Sequence, residues 1–91
     1  MKSIIQETKE CFLCGRKTCL EKHHIMAGLA NRRWSEAYGL TVFLCADCHR
    51  GTEGAQYNKE QNLYLKRVAQ QAFEEIYGHD KWMETFRKNY L

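Results

Sequence analysis

The last third of the chain repeats apolar residues at helical spacing. One apolar stripe runs between Asn58 and Gly78: Leu65, Val68, Ala69, Ala72, Phe73, Ile76 and Tyr77. Asn58 is a good N-cap with Gln61 in the capping-box position, and Gly78 is a natural C-terminal stop. The pattern predicts a long helix whose stripe belongs to the core, followed by a last helix over residues 80–89. The residues of this last helix that are expected to face the core are Trp82, Met83 and Phe86.

Two extended stretches are predicted in the first half of the chain. Residues 18–26 have partial strand character, and residues 40–45 are rich in β-branched and aromatic side chains. The segment between them is predicted to be an irregular loop, apart from one helical turn from Ser35. A short helix is expected from Cys48 and is ended by the glycines that follow it.

The predicted fold class is α+β, with a single domain over residues 1–91. A core at residues 10–57 would precede a helical extension at residues 58–91 that packs on it. A chain of 91 residues buries little apolar surface, so such a domain usually needs a metal, a disulfide or an oligomeric partner for stability. With 44% hydrophobic residues and no proline, disorder is not expected.

Cysteine usage depends on the compartment in which the protein lies. The N-terminus is too short and too polar for a signal peptide, and no apolar run approaches membrane-spanning length. We therefore expect a cytoplasmic protein without a membrane partner. Because disulfides are rare in the cytosol, the five cysteines point to metal ligation.

Two Cys-x-x-Cys pairs, Cys11 with Cys14 and Cys45 with Cys48, are separated by thirty residues. Two such knuckles bring four soft thiolates into a tetrahedron, which suits zinc and leaves no open coordination position. The predicted site is therefore a structural Zn²⁺ whose binding stabilises a small core. The alternative is that these cysteines are small buried hydrophobic residues or a redox pair.

The run Cys45-Ala-Asp-Cys48-His49 also matches the pattern to which c-type haem is attached. A haem would leave the first cysteine pair without a role, and this attachment normally takes place outside the cytosol. We therefore expect no haem.

Three of the four histidines lie inside or beside the cysteine framework. In an extended strand, His23 and His24 point to opposite faces, so they are not expected to share one role. His49 directly follows a cysteine ligand and could meet one of the paired histidines. Together they would form a nitrogen-ligand site with open positions, hence a catalytic metal, while the other histidine acts as a general base. The alternative is that His23 and His24 are ordinary strand residues and that His49 is a neighbour of the cysteines that binds no metal.

The segments CFLCGR, EKHHIMAG and LCADCHRG resemble the HNH endonucleases over residues 11–58, and the whole chain is similar to small nuclease-like proteins of bacteriophages and prophages. The resemblance implies a ββα-metal fold braced by a four-cysteine zinc site, followed here by two C-terminal helices. It also implies that His24 is the general base that activates water, and that His23 and His49 ligate a catalytic metal. That ion would be Mg²⁺, Mn²⁺, Ni²⁺ or Zn²⁺.

The chain departs from the family pattern at two places. The middle asparagine of the family falls at Leu40, and Asn31 lies too early in the chain to replace it. Some relatives carry a further histidine in or after the short helix, where this chain has Glu53 and Gln56. Glu53 is a hypothetical oxygen ligand for a hard metal such as Mg²⁺ or Mn²⁺.

The net charge is +3 and is unevenly distributed. Residues 1–51 carry eight Lys and Arg against five Asp and Glu, whereas residues 52–91 carry six of each. The first half is therefore expected to face a polyanion. Three arginines that lie near the predicted metal site would contact phosphates: Arg32, Arg33 and Arg50. The alternative is that they are solvated surface residues.

Three functions are compatible with these residues. The first is a metal-dependent HNH endonuclease that cleaves or nicks DNA, which is expected to be double-stranded. The second is a catalytically inactive, zinc-stabilised nucleic-acid-binding or phage regulatory module, which needs the cysteines but not the three histidines. The third is an adaptor whose helices bind another phage protein. Whether the chain forms a homodimer or binds a phage protein is left open.

Overall fold

The computed structural model describes residues 2–51, 54–55 and 58–91. Within these residues the chain forms a two-stranded antiparallel sheet and four helices, which confirms the α+β class. The elements in chain order are β1 (Leu20–His24), α1 (Leu29–Tyr38), β2 (Thr41–Cys45), α2 (Ala46–Arg50), α3 (Lys59–Tyr77) and α4 (His79–Phe86).

Both predicted strands form, and they pair with each other. β1 runs antiparallel to β2, with His24 opposite Thr41 at one end of the ladder. All residues of β2 except Phe43 are buried, whereas β1 buries His23 and leaves its other residues more open. The paired histidines therefore lie on the strand that solvent reaches more easily.

The N-terminal segment lies along β2. The hydroxyl of Ser3 donates a hydrogen bond to the carbonyl of Thr41, and the backbone N–H of Phe43 donates to the side-chain carbonyl of Gln6 at 2.8 Å. These contacts engage backbone groups of β2 that are not hydrogen-bonded to β1. The first residues of the chain are thereby fixed to the sheet.

The segment between the strands is mostly a helix, so the prediction of an irregular loop is wrong, and the one helical turn expected from Ser35 is the last turn of α1. α1 ends at Gly39, whose φ of 71° is left-handed. Its inner face holds Ser35, which is fully buried and whose hydroxyl group bonds the backbone N–H and C=O of Met26 at 3.0 and 2.9 Å. Because a polar residue occupies the buried position, the sequence lacks the apolar repeat that indicates a helix.

The long helix α3 begins and ends as predicted. The side chain of Asn58 accepts a hydrogen bond from the backbone N–H of Gln61 at 3.0 Å, and the helix ends at Gly78. Part of the predicted apolar stripe is nevertheless exposed: Ile76 is 58% exposed and Tyr77 38%. The buried residues of α3 are Leu65, Ala69, Gln70 and Phe73.

The buried Gln70 explains why the stripe departs from its prediction. Its amide nitrogen donates to Asn89 at 2.7 Å, and its oxygen accepts from the backbone N–H of Tyr90 at 2.7 Å. The C-terminal residues therefore pack on this side of α3. A hydrogen-bonded amide takes a core position there, and the last turn of the stripe is left at the surface.

The last helix, α4, is shorter than predicted. It ends at Phe86 because Arg87 adopts a left-handed conformation, with φ of 60°. Trp82 and Phe86 are buried as predicted, and Met83 is partly buried. The indole N–H of Trp82 donates to the carbonyl of Lys88 at 2.8 Å, which holds the chain after the helix against it.

One hydrophobic core joins the sheet to the C-terminal helices. Residues from β2 and the turn after β1 pack with residues of α3 and α4, among them Ile25, Leu44, Leu65, Phe73 and Trp82. Across the residues that the structure covers, no helix combines the length and the apolar character needed to cross a membrane.

Candidate metal centre and adjoining histidine pocket

The first knuckle is shaped by backbone hydrogen bonds around a glycine turn. The N–H of Cys11 donates to the carbonyl of Arg16 at 2.7 Å, and the N–H of Gly15 donates to the carbonyl of Cys11 at 2.8 Å. Gly15 has φ of 81°, which other residues rarely adopt. The N–H of Phe12 donates to the carbonyl of Phe43 at 2.8 Å, so the knuckle is attached to β2.

The second knuckle lies where β2 passes into α2. Cys45 is the last residue of the strand, and Cys48 lies in the helix, which begins at Ala46, two residues before its predicted start. The chain then turns back closely over the helix at Gly54. A β-carbon on Gly54 would lie 2.8 Å from the carbonyl oxygen of Cys48, so this approach requires a glycine.

The two knuckles bring four sulfur atoms together. The Sγ atoms of Cys11, Cys14, Cys45 and Cys48 all lie within 4.8 Å of one another. Those of Cys14 and Cys45 are 3.6 Å apart, close to the roughly 3.8 Å that a tetrahedron with Zn–S bonds of about 2.3 Å requires. The cluster could therefore hold a structural metal ion such as zinc. Cys19 is exposed and lies outside it.

The electrostatics of the cluster also fit a cation. Burial raises the pKa of the Cys48 thiol, and the neighbouring thiols raise it further. Burial also acts to raise the pKa of Cys11, but backbone hydrogen bonds, led by that from Cys45, outweigh it and lower the pKa to about 6. Four thiolates this close together repel one another, so all of them ionise only beside a positive charge. A divalent ion supplies that charge.

The alternation of β1 sends its two histidines to opposite faces, as the sequence predicts. His23 faces α2, where its ring meets that of His49 with centroids 5.1 Å apart and an angle of 67° between the planes. His24 faces α1 instead, and its Nε2 lies 2.7 Å from a carboxylate oxygen of Glu36. The structure therefore brings His23 and His49 together, whereas His24, the last residue of β1, points to the other face of the strand.

His23 has an unusual environment for a histidine. It is only 9% exposed, and burial, followed by the nearby His49 and His24, lowers its pKa to about 4. The ring is therefore neutral near pH 7, which is the form that binds metals. Its Nε2 atom is buried and has no hydrogen-bond partner among the described residues. A buried nitrogen without a partner is costly in a folded protein unless it binds something.

His49 is oriented by a carboxylate. Its Nδ1 lies 2.8 Å from Oε1 of Glu21, and the other oxygen of Glu21 accepts from Arg50 at 2.6 Å. Hydrogen bonds from His49 and Arg50 lower the pKa of Glu21, so the carboxylate is ionised and can only accept. Nδ1 of His49 must then donate in this contact, which leaves Nε2 as the ring nitrogen that could bind a metal.

A pocket of about 380 Å³ connects these histidines at the end of β1. Its lining residues are Lys22, His23, His24, Ala27, Gly28, Arg32 and His49. All three predicted histidines and one predicted arginine therefore share one concave surface. A larger groove of about 650 Å³ lies beside the N-terminal segment, but its described lining includes neither histidine nor cysteine. The chemistry therefore favours the smaller pocket.

The three predicted arginines have different surroundings. Arg32 lines the pocket, from α1 rather than from the loop that the sequence predicted. Arg33 is exposed on the same helix and does not line the described part of the pocket. Arg50 binds both oxygens of Glu21, at 3.0 and 2.6 Å, instead of standing free for a phosphate. Glu53, the hypothetical metal ligand, lies outside the described residues, as does Gln56.

Two carboxylates of the site, Glu21 and Glu36, were missed in the sequence. Glu21 stands two residues before His23 in β1, so strand alternation alone would have placed it on the same face. Glu36 had no comparable local pattern, because the sequence indicated only one helical turn from Ser35 and not the full helix α1 that carries Glu36.

Comparison of the chain with models of protein families, with curated proteins and with solved structures finds no match. The resemblance to the HNH endonucleases therefore remains a prediction that rests on the sequence motifs.

Proposed function

We propose that the protein is a metal-dependent endonuclease of the HNH type that cleaves or nicks the phosphodiester bonds of DNA. The observation that carries this proposal is the buried Nε2 of His23, which has no hydrogen-bond partner within the described part of the chain and whose ring lies beside that of His49. Two imidazoles side by side, with further positions open, are the ligand arrangement of a catalytic metal rather than a structural one. His24 lines the same pocket.

The proposed chemistry divides the three histidines into two roles. His23 and His49 would hold a divalent cation, which when bound stabilises the negative charge that develops on the phosphate and the leaving oxygen. His24 accepts a proton from a water molecule as the water oxygen bonds to phosphorus. The bond from phosphorus to the 3′-oxygen breaks, and this oxygen keeps the electron pair and takes a proton from solvent.

Positive side chains near the pocket support a nucleic-acid substrate. Arg32 lines it, and Arg33 follows on the same helix. Lys22 also lines it, but its ammonium group binds the carboxylate of Glu36 at 2.7 Å. Arginine and lysine contacts to phosphates position DNA without reading its sequence. The role of Arg50 in this proposal is to hold Glu21 against His49, because its guanidinium group already binds that carboxylate.

The cysteine cluster supports the pocket indirectly. Cys45 and Cys48 bracket the start of α2, and His49 is the next residue after Cys48. A structural zinc at the cluster would therefore fix the backbone of His49 at the junction of strand and helix. The zinc takes no part in the proposed cleavage, because four cysteine ligands leave it no open position.

The test is conversion of supercoiled plasmid to nicked and linear DNA with added Mg²⁺, Mn²⁺ or Ni²⁺. We expect metal-dependent cleavage by the wild type and a loss of about 10²- to 10⁴-fold in His24→Ala, the usual contribution of a general base. His79→Ala is the matched control, because His79 lies at the start of α4 and does not line the described pocket. Zinc content is measured in every variant. A folded, zinc-loaded wild type that does not cleave would contradict the proposal.

One observation favours the alternative function, a catalytically inactive nucleic-acid-binding or phage regulatory module. Over residues 2–51, 54–55 and 58–91, the four cysteines form the only group of three or more metal-binding side chains. This module would bind DNA in a gel-shift assay, with zinc retained and no cleavage under any metal. Replacing His23, His24 and His49 together would then leave DNA binding unchanged.

A further inference from the structure

The side chain of His24 contacts a carboxylate, that of Glu36, to which the proposed cleavage reaction assigns no role. Oε2 of Glu36 lies 2.7 Å from Nε2 of His24, and its other oxygen accepts from Nζ of Lys22 at 2.7 Å. Lys22 and His24 are two residues apart on β1 and face the same side, whereas Glu36 comes from α1. The helix between the strands therefore delivers one carboxylate to the histidine that is proposed to act as the base.

The ionisation state of Glu36 determines which nitrogen of His24 carries the proton. Hydrogen bonds from Lys22 and His24 lower the pKa of Glu36 to about 2, so it is a carboxylate near neutral pH. A carboxylate accepts hydrogen bonds and cannot donate them. Nε2 of His24 must therefore carry the proton in this contact, and the lone pair of a neutral ring lies on Nδ1.

We propose that Glu36 is a positioning residue for His24, a role that rests on the proposed nuclease function. Its carboxylate holds the ring in one orientation with Nε2 protonated, which leaves Nδ1 to accept the proton of the attacking water. When that proton is transferred, the ring becomes positively charged beside the negative charge of Glu36. The carboxylate does not take the proton itself, as in other carboxylate–histidine pairs.

A structural ion-pair cluster is the competing explanation for the same contacts. The side chains of Lys22 and Glu36 are 44% and 45% exposed, and exposed ion pairs contribute little to stability. If the contact with His24 were only part of such a cluster, replacing Glu36 would slightly change stability and leave the protonation of the ring unaffected. A test must therefore measure the ring itself as well as activity.

The experiment compares Glu36→Gln and Glu36→Asp with the wild type and with His24→Ala. Initial nicking rates over a range of plasmid concentrations give kcat and KM. We expect Glu36→Gln to lower kcat about 10- to 100-fold with KM little changed, since an amide can donate as well as accept and no longer selects one tautomer. Glu36→Asp keeps the carboxylate and should fall between the wild type and Glu36→Gln. Glu75→Gln, an exposed position on α3, is the charge-matched control.

The second measurement is independent of activity. Two-dimensional ¹H–¹⁵N spectra of the imidazole nitrogens distinguish the two neutral tautomers of a histidine. We expect His24 to be protonated at Nε2 in the wild type and to become a mixture of tautomers in Glu36→Gln. The ring of His79, which contacts Glu74 instead, should give the same signals in both proteins.

The outcomes separate this role from the nuclease function. Cleavage that is lost in His24→Ala and unchanged in Glu36→Gln would overturn the positioning role and leave the nuclease in place. A Glu36→Gln protein that is less active only because it is less stable, with the His24 tautomer unchanged, would also overturn it. A wild type without nuclease activity would overturn both. A fall in kcat together with the tautomer change supports the role.

Discussion

The cysteine cluster and the histidine pocket adjoin at α2, which carries both Cys48 and His49, yet their side chains are held in different ways. Backbone hydrogen bonds and a tight turn at Gly15 fix the cysteines. Carboxylates fix the imidazoles: Glu21 binds His49, and Glu36 binds His24. Cysteines held by the backbone depend on the whole fold, and a metal ion bound by them would in turn stabilise that fold. The imidazoles are oriented by individual side chains, so their contacts can be removed one at a time.

This difference predicts how substitutions in the two regions will behave. Changes in the cluster should alter the stability of the protein, because a metal ion bound there would link two distant parts of the chain. Changes in the pocket should alter metal binding or activity and leave the fold intact. Three experiments test this separation, in addition to the tests of His24 and Glu36.

The largest effect is expected at the cluster. Cys11→Ser, or removal of zinc with a chelator, should unfold the domain, because structural zinc contributes on the order of 10 kcal/mol in small zinc domains and a domain of this size has about 5–15 kcal/mol of stability in total. Circular dichroism on heating measures this. Cys19→Ser is the matched control, since Cys19 is exposed and lies outside the cluster. A cooperative melt of Cys11→Ser like that of the wild type would contradict the role of the cluster.

An intermediate effect is expected at Glu21. Glu21→Gln should weaken the binding of Mn²⁺ or Ni²⁺ about 10- to 100-fold, because the carboxylate that fixes the tautomer of a metal-binding histidine is lost. Isothermal titration calorimetry on zinc-loaded protein measures this affinity. The melting temperature and the zinc content should stay close to those of Glu60→Gln, a control at the exposed start of α3. If Glu21→Gln also lost zinc, metal binding at the cluster would depend on the pocket, and the two regions would not be independent.

The smallest effect is expected at His23. Here the free energy of unfolding should rise, whereas it should fall when the cluster is changed. Leucine at this position would bury no unpaired nitrogen, so His23→Leu should raise the stability of protein that lacks the catalytic metal by about 1 kcal/mol. Urea unfolding without added Mg²⁺ or Mn²⁺ measures this. Nuclease activity should be lost at the same time. A decrease in stability would mean that the imidazole makes a favourable polar contact, and it would remove the main support for His23 as a ligand.

The cluster and the strands could be predicted from the sequence because the patterns that specify them are local. A Cys-x-x-Cys spacing places both ligands in one knuckle, whatever the rest of the chain does. The strand at Thr41–Cys45 follows from its β-branched and aromatic residues. The adjacent histidines, by the alternation of a strand, had to face opposite sides.

The remaining features depend on polar residues that are buried. Ser35 occupies the inner face of α1, and Gln70 occupies the core side of α3. Each is buried with its hydrogen bonds made inside the protein, and each interrupts the apolar repeat by which a helix face is found. Because the sequence did not predict the whole of α1, it could not place Glu36 beside His24. The incomplete prediction of α1 and the failure to identify Glu36 therefore have one physical cause.

The N-terminal segment has a consequence for the way copies of this protein meet. A two-stranded sheet has two open edges, and unpaired backbone groups on an edge can recruit a strand from another molecule. Here Ser3 caps the carbonyl of Thr41, Gln6 accepts from the N–H of Phe43, and Phe12 donates to the carbonyl of Phe43. Side chains and the first knuckle thus close the outer edge of β2 without adding a strand, which protects the protein from edge-to-edge aggregation on that side.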